Sequence, residues 1–160
     1  MKRYLLDTSL LAAYLQSRKT AIDLITPWIK RHEVATSILV YAEVIEYIKG
    51  LPNYPARAYD LRRLMREIYP YFLTYPILER YADLRRRLRP PHGTGLIGDI
   101  DTLIAATALE RNLTIVTTDQ DFERVPQTQT QACKPQERSL KHPCPTSEII
   151  NCASQKTYTT

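Results

Sequence analysis

Short apolar runs of strand length alternate along the chain with longer stretches of helical periodicity. The runs predict strands at residues 3–6, 33–36, 71–75 and 113–117. The periodic stretches predict helices at residues 10–16, 21–31, 38–49, 54–69, 77–88 and 99–111. Strands that alternate with helices in this way are typical of an α/β fold, so we expect a mostly parallel central sheet flanked by helices.

Polar and conformationally restricted residues mark several ends of these elements. Ser37 stands where it can cap the helix that runs to Lys49, and Gly50 follows as a stop signal. Pro27 lies inside the second helical stretch, where it predicts a kink or a break.

The composition sets the scale of the fold. A chain of 160 residues with 44% hydrophobic content can form one sizeable core. No apolar run approaches the roughly 20 residues of a membrane span, so we expect a cytoplasmic protein. We expect residues 1–126 to form a single domain.

The C-terminal tail (residues 127–160) differs from that body. It is rich in Thr, Gln, Ser and Pro, it lacks strand or helix periodicity, and it holds all three cysteines. Such a segment buries too little apolar surface to offset its ordering entropy. We therefore predict that the tail is disordered and that truncation after Gln127 leaves the melting temperature unchanged.

The positive charge is concentrated in one segment. Residues 57–89 hold nine arginines against four acidic residues, interleaved with tyrosines, and the whole chain has a formal net charge of +5. Arginines and aromatic rings together suit the phosphates and bases of a single-stranded nucleic acid. The alternative is a pair of solvated helix faces. Within this segment, the run Arg85, Arg86 and Arg87 is the specific candidate for nucleic-acid contacts.

Four acidic residues stand where folding does not require them. Asp7 closes the first apolar run, Asp119 follows the last, Glu43 lies within an apolar helix, and Asp101 begins another. Carboxylates brought together from such positions repel one another unless a cation lies between them, so their convergence would indicate a metal site. Neighbouring hydroxyls could orient Asp7 and Asp119; these are Thr8, Ser9, Thr117 and Thr118.

Each acid has a structural alternative. Asp7 or Asp119 alone could serve as a turn or cap residue, and Glu43 could reach water from the rim of the core. Asp99 and Asp101 both lie in the first turn of a predicted helix, where carboxylates are favourable whatever the function. We assign the cap to Asp99 and the chemistry to Asp101, with Asp99 as a possible supporting acid.

A glycine motif suggests another class of site. Residues 93–98, GTGLIG, fit the dinucleotide-binding pattern GxGxxG and precede a helix. That pattern should follow a strand, whereas here a proline-containing segment precedes it, and the helix begins with two aspartates where a pyrophosphate would bind. We interpret the glycines as a flexible loop that leads to the acidic site.

Four segments together resemble the PIN domain, and within it the VapC-like toxin ribonucleases of bacterial and archaeal toxin–antitoxin pairs. They are YLLDTSLLAAYL, TSILVYAEV, IDTLIAATALE and VTTDQDFERV, and the resemblance spans residues 3–126. It implies a PIN-like three-layer fold. It also implies that Asp7, Glu43, Asp101 and Asp119 bind Mg²⁺ or Mn²⁺, with Asp7 and Asp101 as the closest ligands.

The resemblance further implies metal-dependent hydrolysis of RNA phosphodiester bonds, a homodimer and a small cognate antitoxin. Oxygen ligands suit magnesium or manganese, which would assist both the attack of water and the departure of the leaving oxygen. Two other functions stay open: a catalytically silent PIN-type module that binds RNA or a partner, and a nucleotide-binding enzyme that uses the glycine loop. The family's short final strand is not expected here, because the tail begins instead.

Overall fold

The computed structural model describes residues 1–126, 128 and 130–132. The predictions made for residue 127, residue 129 and residues 133–160, including the three cysteines, lie outside the described residues. Within the part of the chain that the structure describes, no helix is both long and apolar enough to cross a membrane.

Helices and strands alternate as the sequence pattern predicts. The helices are α1 (Thr8–Leu15), α2 (Lys19–Lys30), α3 (Ile38–Lys49), α4 (Tyr54–Glu67), α5 (Tyr75–Leu88) and α6 (Asp99–Arg111). The strands are β1 (Tyr4–Leu6), β2 (Val34–Ser37), β3 (Tyr69–Tyr71), β4 (Thr114–Thr117) and β5 (Thr130–Ala132). A short 3-10 helix (Gln120–Arg124) follows β4.

The five strands form one parallel sheet in the order β3-β2-β1-β4-β5. Leu5 of β1 is in register with Ala35 on one side and with Ile115 on the other. The chain builds outward from β1 to β3 and then returns to place β4 on the opposite side of β1. Because crossovers between parallel strands are almost always right-handed, this strand order places helices on both faces, which confirms the three-layer PIN-like α/β fold.

The core lies around the two central strands. Leu5, Leu6, Ile115 and Val116 are fully buried, as expected for strands covered by helices on both faces. Helix α6 buries a run of small residues, including Ala105 and Ala106, so that it can pack closely. Because β1 and β4 are held in this core, the residues that directly follow them have fixed positions at the end of the sheet.

Local sequence explains some of the element ends. The Ser37 hydroxyl accepts a hydrogen bond from the Leu39 N–H at 3.3 Å, so Ser37 caps α3 as predicted. The prediction of a kink or break at Pro27 was wrong in that α2 continues to Lys30. Pro27 lies close to the end of α2 and is exposed, so the loss of one N–H interrupts little of the helix.

The third strand lies earlier than predicted. It occupies Tyr69–Tyr71 instead of residues 71–75, and α5 already begins at Tyr75. The physical reason is Pro76, which fits the first turn of a helix because its missing N–H has no helical partner there. Residues 72–74 thus connect the strand to the helix.

The fifth strand was not predicted. Thr130–Ala132 pairs in parallel with β4, with Thr130 in register with Ile115, although the sequence indicated no strand beyond residue 127. Its residues, Thr, Gln and Ala, show no apolar alternation because a three-residue strand at the sheet edge gains its stability from backbone pairing with β4. The domain boundary at residue 126 otherwise stays a prediction.

Candidate active site

The acidic residues gather at the carboxyl ends of β1 and β4. Asp7 follows β1 directly, and Asp119 lies two residues beyond the end of β4. These two strands are neighbours, and the strand order reverses between them. In open parallel sheets such a reversal creates a crevice in which ligands bind.

Asp7 is held from two sides by hydroxyl groups. Its side chain is buried, with 4% exposure, and its Oδ2 accepts hydrogen bonds from Thr117 Oγ1 at 2.8 Å and Ser9 Oγ at 3.1 Å. The Ser9 hydroxyl in turn accepts from the Thr118 N–H at 3.3 Å. These contacts join the ends of β1 and β4, so the orientation of the Asp7 carboxylate is fixed.

Asp119 is connected to the same hydroxyl. Its N–H donates to Thr117 Oγ1 at 2.9 Å, and its Oδ1 accepts from the Asp121 N–H at 2.9 Å. Asp119 therefore caps the 3-10 helix, the structural role that its sequence position left open. Thr117 lies between the two aspartates and contacts both.

Glu43 reaches this edge from α3. Its side chain is half-buried, and Thr8, the first residue of α1, donates a hydroxyl hydrogen bond to its Oε2. The glutamate thus has a specific partner on the segment that carries Asp7. Whether it serves in catalysis stays a prediction.

The start of α6 corrects the assignment of the cap. Gly98 occupies the N-cap position, and no side chain caps this helix. Asp99 instead accepts a hydrogen bond from the Tyr81 hydroxyl at 3.1 Å and pairs with Arg85 Nη1 at 2.5 Å, so it ties α6 to α5. Asp99 is exposed in this position, and a supporting role toward the other acids stays a prediction.

The surroundings of Asp101 raise the pKa of its carboxyl group. Burial, and then the negative charges around it, raise the pKa of its carboxyl group from 3.8 to about 6. The charges responsible are those of Asp7, Glu43, Asp119 and Asp121. The fold therefore brings the four predicted acids near one another, together with a fifth, Asp121, that the sequence reasoning missed.

Gly98 makes room for the Asp101 carboxylate. A Cβ atom added at Gly98 would lie 2.5 Å from Asp101 Oδ2, closer than non-bonded atoms approach. The other glycines of the loop also serve close contacts: a Cβ at Gly93 would meet the Arg87 carbonyl oxygen at 2.3 Å. Glycine therefore permits close packing at these two positions, and the flexibility of the loop stays a prediction.

The glycine motif follows α5, not a strand, so the structural context of a dinucleotide site is missing. The guanidinium of Arg85 pairs with Asp99 and lies 5.9 Å from the centre of the Tyr81 ring. Arg86 and Arg87 are exposed at the end of α5. RNA contact by these three arginines stays a prediction.

The donors available at this edge are carboxylate and hydroxyl oxygens, which suit hard divalent cations. Among the described residues, no three His, Cys, Asp or Glu side chains form a group that could hold a metal ion by themselves. Magnesium usually takes only one or two carboxylates and keeps several waters, so this donor set fits that ion with water or substrate oxygens completing its shell.

The model of the PIN domain family matches residues 4–127, which include β1, β4 and every acid of the site. The chain belongs to the PIN domain family. All four sequence segments that carried the resemblance lie within or at the boundary of this match. The sequence matches no curated protein.

Solved structures similar to this PIN domain come from VapBC systems. VapBC2 from Rickettsia felis, bound to a DNA fragment from its promoter, matches with a TM-score of 0.74 and 21% identity, over 82% of this chain and 98% of that one. VapBC-1 from nontypeable Haemophilus influenzae gives a TM-score of 0.68 and 25% identity, over 81% and 96%.

A third structure names the class of system. VapBC-5 from Mycobacterium tuberculosis, a member of the VapBC family of toxin–antitoxin systems, matches with a TM-score of 0.60 and 19% identity, over 84% of this chain and all of that one. The resemblance to VapC-like PIN domains is thus confirmed. PIN domains of VapC toxins are nucleases, which gives the acidic edge its functional context.

Proposed function

We propose that this PIN domain is a Mg²⁺- or Mn²⁺-dependent endoribonuclease that hydrolyses RNA phosphodiester bonds, and that it is the toxin of a toxin–antitoxin pair. The observation that carries the proposal is the gathering of four other carboxylates around Asp101: after burial, which is the larger cause, their negative charges help to raise the pKa of its carboxyl group to about 6. A fold gains nothing from such repulsion, whereas a bound cation would turn it into attraction.

The residues that would hold the metal are Asp7 and Asp101 as the closest ligands, with Glu43 and Asp119 completing the acidic set. When bound, the metal would supply Lewis-acid stabilisation of the charge that develops on the phosphate. In the hydrolysis itself, the oxygen of water forms a bond to phosphorus, the P–O bond to the departing ribose oxygen breaks, and the proton of water ends on that oxygen.

The chain's own contribution is orientation. Ser9 and Thr117 fix the Asp7 carboxylate, and Thr8 holds Glu43. Each hydroxyl leaves the second carboxylate oxygen of its partner available. Such supporting contacts commonly change metal affinity or activity by about 10- to 100-fold.

The substrate would be held through its phosphates. Within the arginine-rich segment at residues 57–89, we assign the RNA contacts to Arg85, Arg86 and Arg87 at the end of α5, where the last two are exposed. Because Arg85 is engaged with Asp99, we expect it to contribute less to RNA binding than Arg86. Phosphate contacts of this kind position the strand and carry no base specificity.

Two protein partners belong to the proposal. A cognate antitoxin is supported by the VapBC structures that share this fold. A homodimer is supported by an exposed apolar patch where β3 leads into α5. Phe72 is 63% exposed and Tyr75 is 85% exposed, and Leu78 extends the patch along α5.

The decisive experiment is RNA cleavage with matched acidic variants. Purified protein is incubated with a mixed structured RNA pool and Mg²⁺ or Mn²⁺, beside EDTA controls. Asp7→Ala and Asp101→Ala should abolish cleavage while remaining folded. The control is Asp23→Ala, which removes an exposed carboxylate paired with Lys19 on α2 and should cleave like the wild type.

The outcomes separate the open functions. Metal-dependent cleavage lost only in the two site variants supports the nuclease. RNA binding without cleavage, in a protein that binds manganese, favours the silent PIN-type module. A thermal shift with nucleotide but not with manganese would instead revive the use of the glycine loop.

A further inference from the structure

The loop at residues 93–98, which leads into α6, is held by the side chain of Arg124. Arg124, at the end of the 3-10 helix, donates from Nη2 to the carbonyl oxygens of Gly95 at 2.9 Å and Leu96 at 3.4 Å. Its Nη1 pairs with Asp121 Oδ1 at 3.1 Å. One guanidinium therefore links the loop before Asp101 to the segment after Asp119.

The loop backbone is shaped around this guanidinium. Gly95 has a φ of +118°, a conformation that side-chain-bearing residues rarely adopt. A Cβ at Gly95 would also lie 3.2 Å from Arg124 Nη2, so a larger residue would crowd the contact. The Gly95 N–H donates to the Leu88 carbonyl at 2.9 Å, which anchors the other side of the loop to α5.

Asp101 depends on the backbone for its position. Among the described residues, no side chain donates a hydrogen bond to its carboxylate, unlike the carboxylate of Asp7. Its place is set by the first turn of α6, whose N-cap Gly98 lies only two residues after the Leu96 carbonyl that Arg124 contacts. Movement of the loop would therefore move Asp101 relative to Asp119.

We propose that Arg124 is a positioning residue for the nuclease reaction: by holding the Gly95–Leu96 backbone to the 3-10 helix, it fixes the separation between Asp101 and Asp119. This inference rests on the proposed function. It predicts that Arg124 acts on metal binding and on the chemical step, and leaves the binding of RNA almost unchanged.

A direct contact with the RNA is the competing role for an arginine near the site. In the structure two of its nitrogens are already used within the protein, on two carbonyls and one carboxylate. A phosphate contact would raise KM and leave kcat unchanged, because uniform binding of substrate and transition state would be lost. A positioning role lowers kcat and weakens Mn²⁺ binding at nearly constant KM.

The test compares Arg124→Ala, Arg124→Lys and Arg80→Ala. Arg80 is the matched control, because it is an exposed arginine that pairs with Glu110 at 3.4 Å and joins α5 to α6 away from the acidic edge. Calorimetric titration with Mn²⁺ alone should show affinity reduced about tenfold in Arg124→Ala and unchanged in Arg80→Ala. Lysine should recover part of the loss, since it keeps the charge but lacks the planar fork.

Two further measurements complete the test. Steady-state cleavage should show kcat reduced about tenfold in Arg124→Ala with KM changed less than twofold. Hydrogen exchange should be faster at residues 93–98 in Arg124→Ala and unchanged there in Arg80→Ala, because the loop loses its tie to the 3-10 helix.

Several results would overturn the inference. These are unchanged Mn²⁺ affinity and kcat in Arg124→Ala, an effect confined to KM, or unchanged exchange of the loop. If the wild type neither binds Mn²⁺ nor cleaves RNA, the proposed function fails; faster loop exchange in Arg124→Ala would then show that the structural tie exists without the catalytic role.

Discussion

Asp7 and Asp101 belong to the same acidic edge, yet their surroundings differ. Asp7 is buried between two strand ends and accepts hydrogen bonds from Ser9 and Thr117. Asp101 lies on the first turn of a helix, receives no side-chain hydrogen bond from any described residue, and has its pKa raised to about 6. Neighbouring hydroxyl groups fix the orientation of the Asp7 carboxylate. Burial and neighbouring negative charges, in contrast, disfavour the ionised form of the Asp101 carboxylate.

Under the proposed function, this difference would let the fold prepare a metal site with little loss of stability. Hydrogen bonds stabilise the charge of a buried carboxylate. Asp7 with Ser9 and Thr117, here called the strand half of the site, would therefore keep its geometry without a cation. In the helix half, which is Asp101 at the start of α6, no contact with a described residue offsets the repulsion from the other carboxylates. A bound cation would relieve this repulsion, which would add to the affinity for the cation. The strand half would hold a carboxylate ligand in position, and the helix half would attract the cation.

The largest effect should come from breaking the strand half at Thr117. Thr117→Val keeps the shape of the side chain but removes the hydroxyl that donates to Asp7 and accepts from the Asp119 N–H. We expect RNA cleavage and Mn²⁺ affinity to fall by about 10- to 100-fold, because both aspartates lose their orientation. Cleavage assays and calorimetry measure the change.

Thr117→Ser is the control for this substitution. Serine retains the hydroxyl and removes only a methyl group, so it should keep most of the activity. Equal losses in both variants would mean that packing of the methyl group, and not hydrogen bonding, matters at this position.

Strand β5 supports the same half from outside, because it pairs with the strand that carries Thr117. A chain ending at Ala132 should melt like the full chain, whereas a chain ending at Gln127 should lose about 2 kcal/mol of stability with its strand hydrogen bonds. Thermal denaturation of the two truncated chains distinguishes them. This replaces the expectation that truncation after Gln127 is harmless, and identical melting curves would restore it.

The helix half can be disturbed through Gly98. Gly98→Ala should displace the Asp101 carboxylate, because the new methyl group would meet Asp101 Oδ2. We expect about tenfold weaker Mn²⁺ binding with little change in melting temperature, since the displaced atom is the end of a side chain. Gly50→Ala is a matched control: its added Cβ would lie 3.4 Å from the Tyr47 carbonyl oxygen, an ordinary contact.

The smallest effect concerns stability without metal. The folded state raises the pKa of Asp101 from 3.8 to about 6, so it binds more protons than the unfolded state between these values. Stability should therefore fall as pH rises from about 4 to 6 and stay reduced at neutral pH.

Asp101→Asn should remove this penalty. We expect a gain of about 1 kcal/mol at pH 7 in EDTA, after allowance for solvent screening of a half-buried side chain, and no gain at pH 4. Chemical denaturation at the two pH values tests this. A gain that is equal at both values would point to packing and not to charge.

The sequence predicted the parts of this molecule that depend on local pattern. The four acids could be selected because each stood at a strand end, at a helix start or within an apolar helix stripe, and the fold brings them near one another. Ser37 was recognisable as a cap because its signal lies within two residues of its partner. The catalytic roles of these acids stay predictions that the experiments above address.

The parts that were missed depend on contacts between distant segments. Asp99 was assigned a cap because the sequence could not show that Arg85 and Tyr81 from α5 would bind it. Strand β5 was missed because its three polar and small residues show no strand pattern. They form a strand only by pairing with the backbone of β4. The hydrogen bond from Arg124 to Gly95 joins positions 29 residues apart, so no local pattern indicated it. The fifth acid, Asp121, had one local signal, which is the repeated aspartate in the sequence DQD at residues 119–121.

The hydrogen bond between Thr117 and Asp7 joins positions 110 residues apart. Because β1 pairs with β4, the central strand gains its second neighbour only after residues 114–117 have left the ribosome. At about 5 to 20 residues per second, synthesis leaves Asp7 without Thr117 for several seconds or longer. A nascent chain that ends before Asp119 lacks one of the two strand-end aspartates, so under the proposed function no such fragment should cleave RNA.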